Sequence, residues 1–204
     1  MQRKLIAALM ATAGLLSVTA AQAEGDGPWM VRGRAVGLNW ANGQADNLAN
    51  TAKVEATNRW IPEFDVSYFF TKNIAAELVL TYPQSVDIKI NGVKQGTVKA
   101  LPPSLLLQYH FTDLGAFKPY VGAGVNYTLF SKRNNILNGA ASVDNSSTGF
   151  AAQVGFDYAL TKAVSLNVDL KYAQIASNVM VGGAKIGKLN LNPTMFGVGV
   201  GYRF

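Results

Sequence analysis

The last ten residues, Met195-Phe196-Gly197-Val198-Gly199-Val200-Gly201-Tyr202-Arg203-Phe204, constrain the fold more than any other stretch. In an extended chain, successive side chains point to opposite faces. Phe196, Val198, Val200, Tyr202 and Phe204 therefore share one face, and Gly197, Gly199, Gly201 and Arg203 the other. Five large apolar groups on one face suit a strand whose outer side meets lipid, with the glycines leaving room inside a narrow barrel. An ordinary sandwich strand is the alternative, and the other end of the chain decides between the two.

There, Arg3 and Lys4 precede an apolar run over 5–18, and Ala21-Gln22-Ala23 forms an A-x-A cleavage site, the pattern of a secretory signal. The run is short of the roughly 20 residues that a spanning helix needs. A signal peptide over 1–23 and a single domain over 24–204 are expected, the mature protein being exported without a helical anchor. Lys and Arg number 18 against 12 Asp and Glu, scattered without a basic run. Nucleic acid is therefore not expected as a partner, and a few cations remain to meet anionic lipid phosphates. There is no cysteine, so neither disulfides nor thiolate metal sites are available, and stability must come from a closed hydrogen-bond ladder.

Alternation of apolar and polar residues marks strands over 29–40, 59–70, 74–82, 101–111, 120–130, 149–158, 164–172 and 191–204. The stretches 41–58, 83–99, 131–147 and 173–190 read as long loops, the second with its own hairpin about Asn91-Gly92. The other connections are short, and the turns at Thr71-Lys72 and Thr161-Lys162 resemble each other. Short turns on one side and long loops on the other are the pattern of an all-β, eight-stranded antiparallel transmembrane β-barrel. A soluble eight-stranded barrel would put its apolar faces inside; the aromatic strand ends and terminal Phe favour the membrane version.

Sorting inward residues by height divides the lumen. Arg32, Arg34, Glu63, Asp65, Glu77, Asp157 and Arg203 fall on the periplasmic half with Gln108, His110 and Asn167, and are expected to pair into a plug. An eight-stranded interior is just wide enough to be filled by side chains. Val36, Leu38, Trp40, Ile61, Val79, Pro102, Phe130 and Met195 fall on the extracellular half, an apolar lining in which Thr128 and Lys171 are exceptions. Such a lumen suits a small hydrophobic molecule better than an ion; simple packing of a filled barrel is the alternative. Pro83, Pro102 and Pro103 sit where strands three and four approach their extracellular ends. Proline cannot donate to a ladder, so a lateral opening to the membrane is expected there, with a ragged barrel rim as the alternative.

Catalysis finds no support. The single histidine, His110, lies six residues from Ser104 on its own strand, roughly 20 Å at strand rise, and nothing completes a triad around Ser67. The glycine run 197–201 has no following helix and is no dinucleotide fingerprint. No enzyme activity, cofactor or metal is expected.

The segments Leu101-Pro102-Pro103-Ser104-Leu105-Leu106-Leu107-Gln108-Tyr109-His110-Phe111, Lys118-Pro119-Tyr120-Val121-Gly122-Ala123-Gly124-Val125-Asn126-Tyr127, and Asn192-Pro193 with Gly199, Tyr202, Arg203 and Phe204 resemble the OmpW family of outer-membrane proteins (OmpW/AlkL-like eight-stranded barrels). The resemblance implies a barrel in the bacterial outer membrane with a hydrophobic channel, a lateral opening and passive passage of small hydrophobic compounds. Some members also serve as bacteriocin receptors. Tyr202 and Phe204 match the terminal signal read by the barrel-assembly machinery. The chain departs from the family in having its tryptophans only at Trp29, Trp40 and Trp60, leaving Leu38, Trp40, Ile61 and Phe130 as candidate constriction residues. The expected function is uptake of small hydrophobic molecules by a monomer, its partners being outer-membrane lipids, lipopolysaccharide, the substrate and the assembly machinery. The alternative is a structural or adhesive barrel, or a phage or bacteriocin receptor, acting through its loops.

Overall fold

The computed structural model describes residues 27–45, 54–90, 92–131 and 136–204. The expected signal peptide, Asn91 of the expected turn, and parts of the expected loops 41–58 and 131–147 lie outside the described residues.

Two-residue alternation becomes strand wherever one face can be buried and the other left to lipid. The strands are β1 (Trp29–Asn39), β2 (Gly43–Ala45), β3 (Val54–Ala56), β4 (Arg59–Phe69), β5 (Ile74–Leu80), β6 (Gln84–Ile90), β7 (Val93–Leu101) and β8 (Ser104–His110). They continue as β9 (Phe117–Ser131), β10 (Ala141–Val143), β11 (Ser146–Ala159), β12 (Val164–Ala173), β13 (Ala176–Val181), β14 (Ala184–Asn190) and β15 (Thr194–Arg203). The antiparallel order β11-β12-β15-β1-β4-β5-β8-β9 closes on itself through β11 and β9, giving eight wall strands. The seam between the ends of the chain is fully paired, from Met30↔Arg203 to Asn39↔Thr194, and Phe204 N donates to Trp29 O at 2.8 Å. In hydrocarbon every backbone N–H and C=O must be satisfied within the protein, and closure meets that demand.

At the periplasmic end the turns are tight. Phe70 N and Leu160 N donate to Ile74 O and Val164 O, each at 2.9 Å. The Thr71 hydroxyl accepts from Ile74 N (3.0 Å) and the Thr161 hydroxyl from Val164 N (2.9 Å), so the two turns are built alike.

At the other end, two of the stretches read as loops are sheet. The hairpin expected within 83–99 is β6–β7, and 173–190 is a second hairpin, β13–β14, paired to β10 and β2. Its signal is faint because the inward face itself mixes Ile175, Val179 and Leu189 with Ser177 and Gly187. These extensions carry the barrel wall beyond the membrane, their inward apolar residues continuing the lumen packing.

The outward face is apolar through its middle, with Phe64, Leu107 and Val125 exposed by 65%, 60% and 55%. Aromatic residues edge it: Trp29, Tyr68, Tyr109 and Tyr158 below, Trp60, Tyr82, Tyr127 and Tyr172 above. That is the band and paired girdle of a lipid-facing barrel.

Inward glycines permit close strand approach. A Cβ on Gly124 would stand 1.9 Å from Leu105 O, and one on Gly199 2.1 Å from Gly33 O, inside any tolerable contact with backbone. Gly33, outward, would place a Cβ no nearer than 3.5 Å from Phe64. Gly124→Ala is therefore expected to push β8 from β9 and sharply reduce the folded fraction, measured as the heat-modifiable band on a gel, whereas Gly33→Ala assembles as wild type.

Candidate functional site

Inside the wall the lumen has two storeys. The lower one is a buried ion-pair network. Arg32 on β1 extends a fork to Asp157 on β11, Nε to Oδ1 at 3.1 Å and Nη2 to Oδ2 at 2.8 Å. Its Nη1 donates to Asp65 Oδ1 (3.2 Å), Ser67 Oγ (2.9 Å) and Glu77 Oε2 (3.1 Å). Arg34, one lumen-facing step higher, pairs with Asp65, with Glu77 (3.3 Å) and through Nη1 with Asp169 (3.0 Å) and Glu63 (3.5 Å). Two β1 cations thus tie β4, β5, β11 and β12 together. The β1 alternation that points both arginines inward turns Gly33 and Ala35 toward lipid.

Lys171 and Asp169 correct the sequence reading. Lys171, expected as an isolated exception in the apolar half, donates to Glu63 Oε1 at 2.9 Å and lies 3.7 Å from Asp169. The network therefore holds three cations, Arg32, Arg34 and Lys171, and five carboxylates, Glu63, Asp65, Glu77, Asp157 and Asp169, all buried. Asp169 was legible from its alternation with Lys171 and Asn167. The Tyr120 hydroxyl, which donates to Asp169 Oδ2 at 3.0 Å, was masked by its place at a strand start.

Arg203 is the second correction. It lies below the network, its guanidinium over the Phe69 ring at 4.0 Å and its Nε donating to Gly27 O at 2.8 Å. Arg203 is the last residue of β15. A small cavity of about 40 Å³ opens there, lined by Met30, Phe69, His110, Asp157 and Arg203 among others. The His110 ring sits between Phe69 and Tyr120, centroids 4.8 and 4.9 Å away, and its Nε2 is bonded to Gln108 Oε1 at 2.9 Å. Ser67 Oγ accepts from Arg32 Nη1 at 2.9 Å, and His110 Nε2 is bonded to Gln108 and not to that serine.

The upper storey is apolar. Val36, Leu38, Trp40, Ile61, Phe130 and Met195 belong to one buried cluster. It is larger than the sequence suggested, because the extensions add Val86, Ile88, Val98, Ile175 and Leu189. Val79 is buried too, but packs with Leu106 and Ala151 in a separate group. The storey is well filled, leaving a cavity of about 20 Å³ lined by Leu38, Trp40, Ile61, Val79 and Met195 together with Glu63 and Lys171 of the network. This upper cavity and the periplasmic one share no lining residue.

Beside that cavity the ladder is interrupted. β5 pairs β8 as far as Val79↔Ser104, and β6 pairs β7 from Gln84↔Ala100 upward. Between them 80–83 and 101–103, which contain Pro83, Pro102 and Pro103, are not paired with each other. The last β4–β5 pair is Phe64↔Leu80, so 59–63 has a ladder partner only in β1. The lumen side of the break is held by Asn126. Its Nδ2 donates to Pro102 O (3.3 Å), Pro103 O (3.1 Å) and Ser104 Oγ (2.9 Å), while Thr128 Oγ1 donates to its Oδ1 at 2.6 Å. Thr81, Gln84, Ala100 and Pro102 line the cavity from this side, so the cavity abuts the break.

Breaking a buried ion pair from one side leaves the partner charges uncompensated, at a cost of about 3–5 kcal/mol. Arg32→Met is expected to destabilise the refolded barrel by that order, read as a lowered urea midpoint in lipid vesicles. Lys72→Ala, which removes only an exposed pair with Asp113, leaves the midpoint unchanged.

The profile of the OmpW family matches residues 25–204. The chain is 41% identical to the "Uncharacterized outer-membrane protein y4mB" of Sinorhizobium fredii, covering 89% of this chain and 82% of the relative. Among solved structures, it resembles the crystal structure of the outer membrane protein OprG from Pseudomonas aeruginosa with a TM-score of 0.75, at 25% identity over 87% of this chain and 96% of that one. The solid-state NMR structure of outer membrane protein AlkL in lipid bilayers gives a TM-score of 0.70 at 25% identity, over 87% and 90% of the two chains. With closed wall, aromatic-edged lipid belt and divided lumen in agreement, the chain belongs to the OmpW family and is an eight-stranded barrel of the bacterial outer membrane, in contact with its lipids.

Proposed function

We propose that this barrel admits small hydrophobic molecules from the extracellular side into its apolar upper storey and releases them sideways into the membrane, without chemistry. One observation carries the reading: the upper cavity borders both the apolar cluster and the ladder break, above an ion-paired floor. An apolar solute gains nothing from crossing a floor of buried charge, since separating those pairs costs far more than its transfer returns. The lateral route asks only for displacement of apolar side chains and for parting of segments that share no ladder hydrogen bonds. Arg32, Arg34, Glu63, Asp65, Glu77 and Asp157 are the plug in this reading, with Pro83, Pro102 and Pro103 framing the exit. Leu38, Trp40 and Ile61 line the closed cavity, and with Phe130 they form the constriction that opens. A channel of this kind conducts by small side-chain movements.

Uptake of a small apolar compound such as octane, by cells lacking and then carrying the protein, tests the reading. Faster uptake with the protein, lost in a Leu38→Glu/Ile61→Glu variant folded to the same level, is the expected result; equal uptake in all three strains overturns it. The exit is tested separately with cysteines at Thr81 and Pro102 in this cysteine-free chain. The oxidised pair is expected to stop uptake and reduction to restore it, with crosslinking scored by thiol alkylation. Unchanged uptake by the fully crosslinked protein would place the exit elsewhere.

A further inference from the structure

The wall of the upper cavity contains polar groups of two kinds. Lys171 is paired with Glu63 at 2.9 Å, Ser104 Oγ accepts from Asn126 at 2.9 Å, and Gln84 Nε2 donates to Tyr82 O at 2.8 Å. Two groups stand apart. The indole N–H of Trp40, a residue only 7% exposed, and the hydroxyl of Thr81 are both buried without a hydrogen-bond partner. Both residues line the same cavity. Buried donors are ordinarily satisfied, and those that are not call for an explanation. A cavity of about 20 Å³ has room for a single water-sized polar group.

We propose, building on the passage reading above, that this cavity is a head-group site for neutral, singly oxygenated amphiphiles: medium-chain alcohols, aldehydes, ketones or esters. The oxygen accepts from the Trp40 N–H, the Thr81 hydroxyl supplies or receives the second hydrogen bond, and the tail lies along the apolar cluster of Leu38, Ile61 and Met195. A plain hydrocarbon leaves both groups unsatisfied. An ammonium head brings only donors and gives an indole N–H, itself only a donor, nothing to bind. A carboxylate head would sit beside a network in which five carboxylates already outnumber three cations, where like charges repel strongly at low dielectric. The same two residues therefore select for an acceptor oxygen, and the floor beneath them selects against negative charge.

The test is protein-dependent uptake of 1-octanol, octane, octanoate and octylamine at pH 7, with the rate in cells lacking the protein subtracted. The variants are Trp40→Phe, Thr81→Val and Thr81→Ser, each checked for assembly by heat-modifiability. Wild-type protein is expected to carry 1-octanol in preference to octane and to carry neither ion. Losing one hydrogen bond in Trp40→Phe or Thr81→Val lowers the 1-octanol-to-octane ratio by about threefold or more, the scale of one net hydrogen bond, and Thr81→Ser, which keeps the hydroxyl, restores it. A ratio unmoved by either variant, or carriage of octanoate equal to that of 1-octanol, overturns the head-group site while leaving hydrophobic passage standing. Absence of protein-dependent uptake for every compound overturns both readings.

Discussion

A backbone placed in hydrocarbon has no water to fall back on, so its hydrogen bonds must all be made within the protein. That requirement explains the closed order of eight wall strands, the full seam between β1 and β15, and the glycines that let neighbouring strands approach. It also makes the exception informative. Among the described wall strands, the ladder parts between β5–β6 and β7–β8, where Pro83, Pro102 and Pro103 remove three donors together. Asn126 donates from the lumen to the carbonyls of Pro102 and Pro103, the latter also accepting from Tyr127 N at 3.0 Å.

The second constraint is charge. Arginine and carboxylate groups cannot face lipid without cost, so the placement of Arg32 and Arg34 fixes which face of β1 turns inward, and the register with β4 and β15 carries that choice round the barrel. Their multiple partners on four other strands close the lower lumen. What remains above is apolar, nearly full, and adjacent to the weak place in the wall. The lining and the break lie side by side over the charged floor, and in the proposed reading they give an apolar solute a sideways direction of travel.

Alternation alone made the wall strands, their inward faces and the arginine–carboxylate grouping legible. It worked because each strand has one face that must be apolar and another that must be small or polar. It failed for Lys171 and Arg203, for a common reason. Height in a tilted, staggered barrel depends on register between strands, and a long cation reaches one step up or down from its own backbone. It failed again for 173–190, where Asn178, Gly187 and Lys188 dilute the pattern and the hairpin is held by pairing with β10 and β2, distant in sequence.

The sequence by itself determined the class of barrel, the lipid-facing side of each wall strand, the presence of buried charge near one end and prolines near the other. It could do so because these follow from side-chain polarity at a fixed two-residue period. Only the tertiary structure decided which carboxylate meets which cation, that the apolar storey extends into the extracellular hairpins, and that Trp40 and Thr81 face one small cavity without hydrogen-bond partners. Those facts depend on strand register and on packing across the lumen, where residues separated by more than a hundred positions, such as Arg32 and Asp157, come within 2.8 Å.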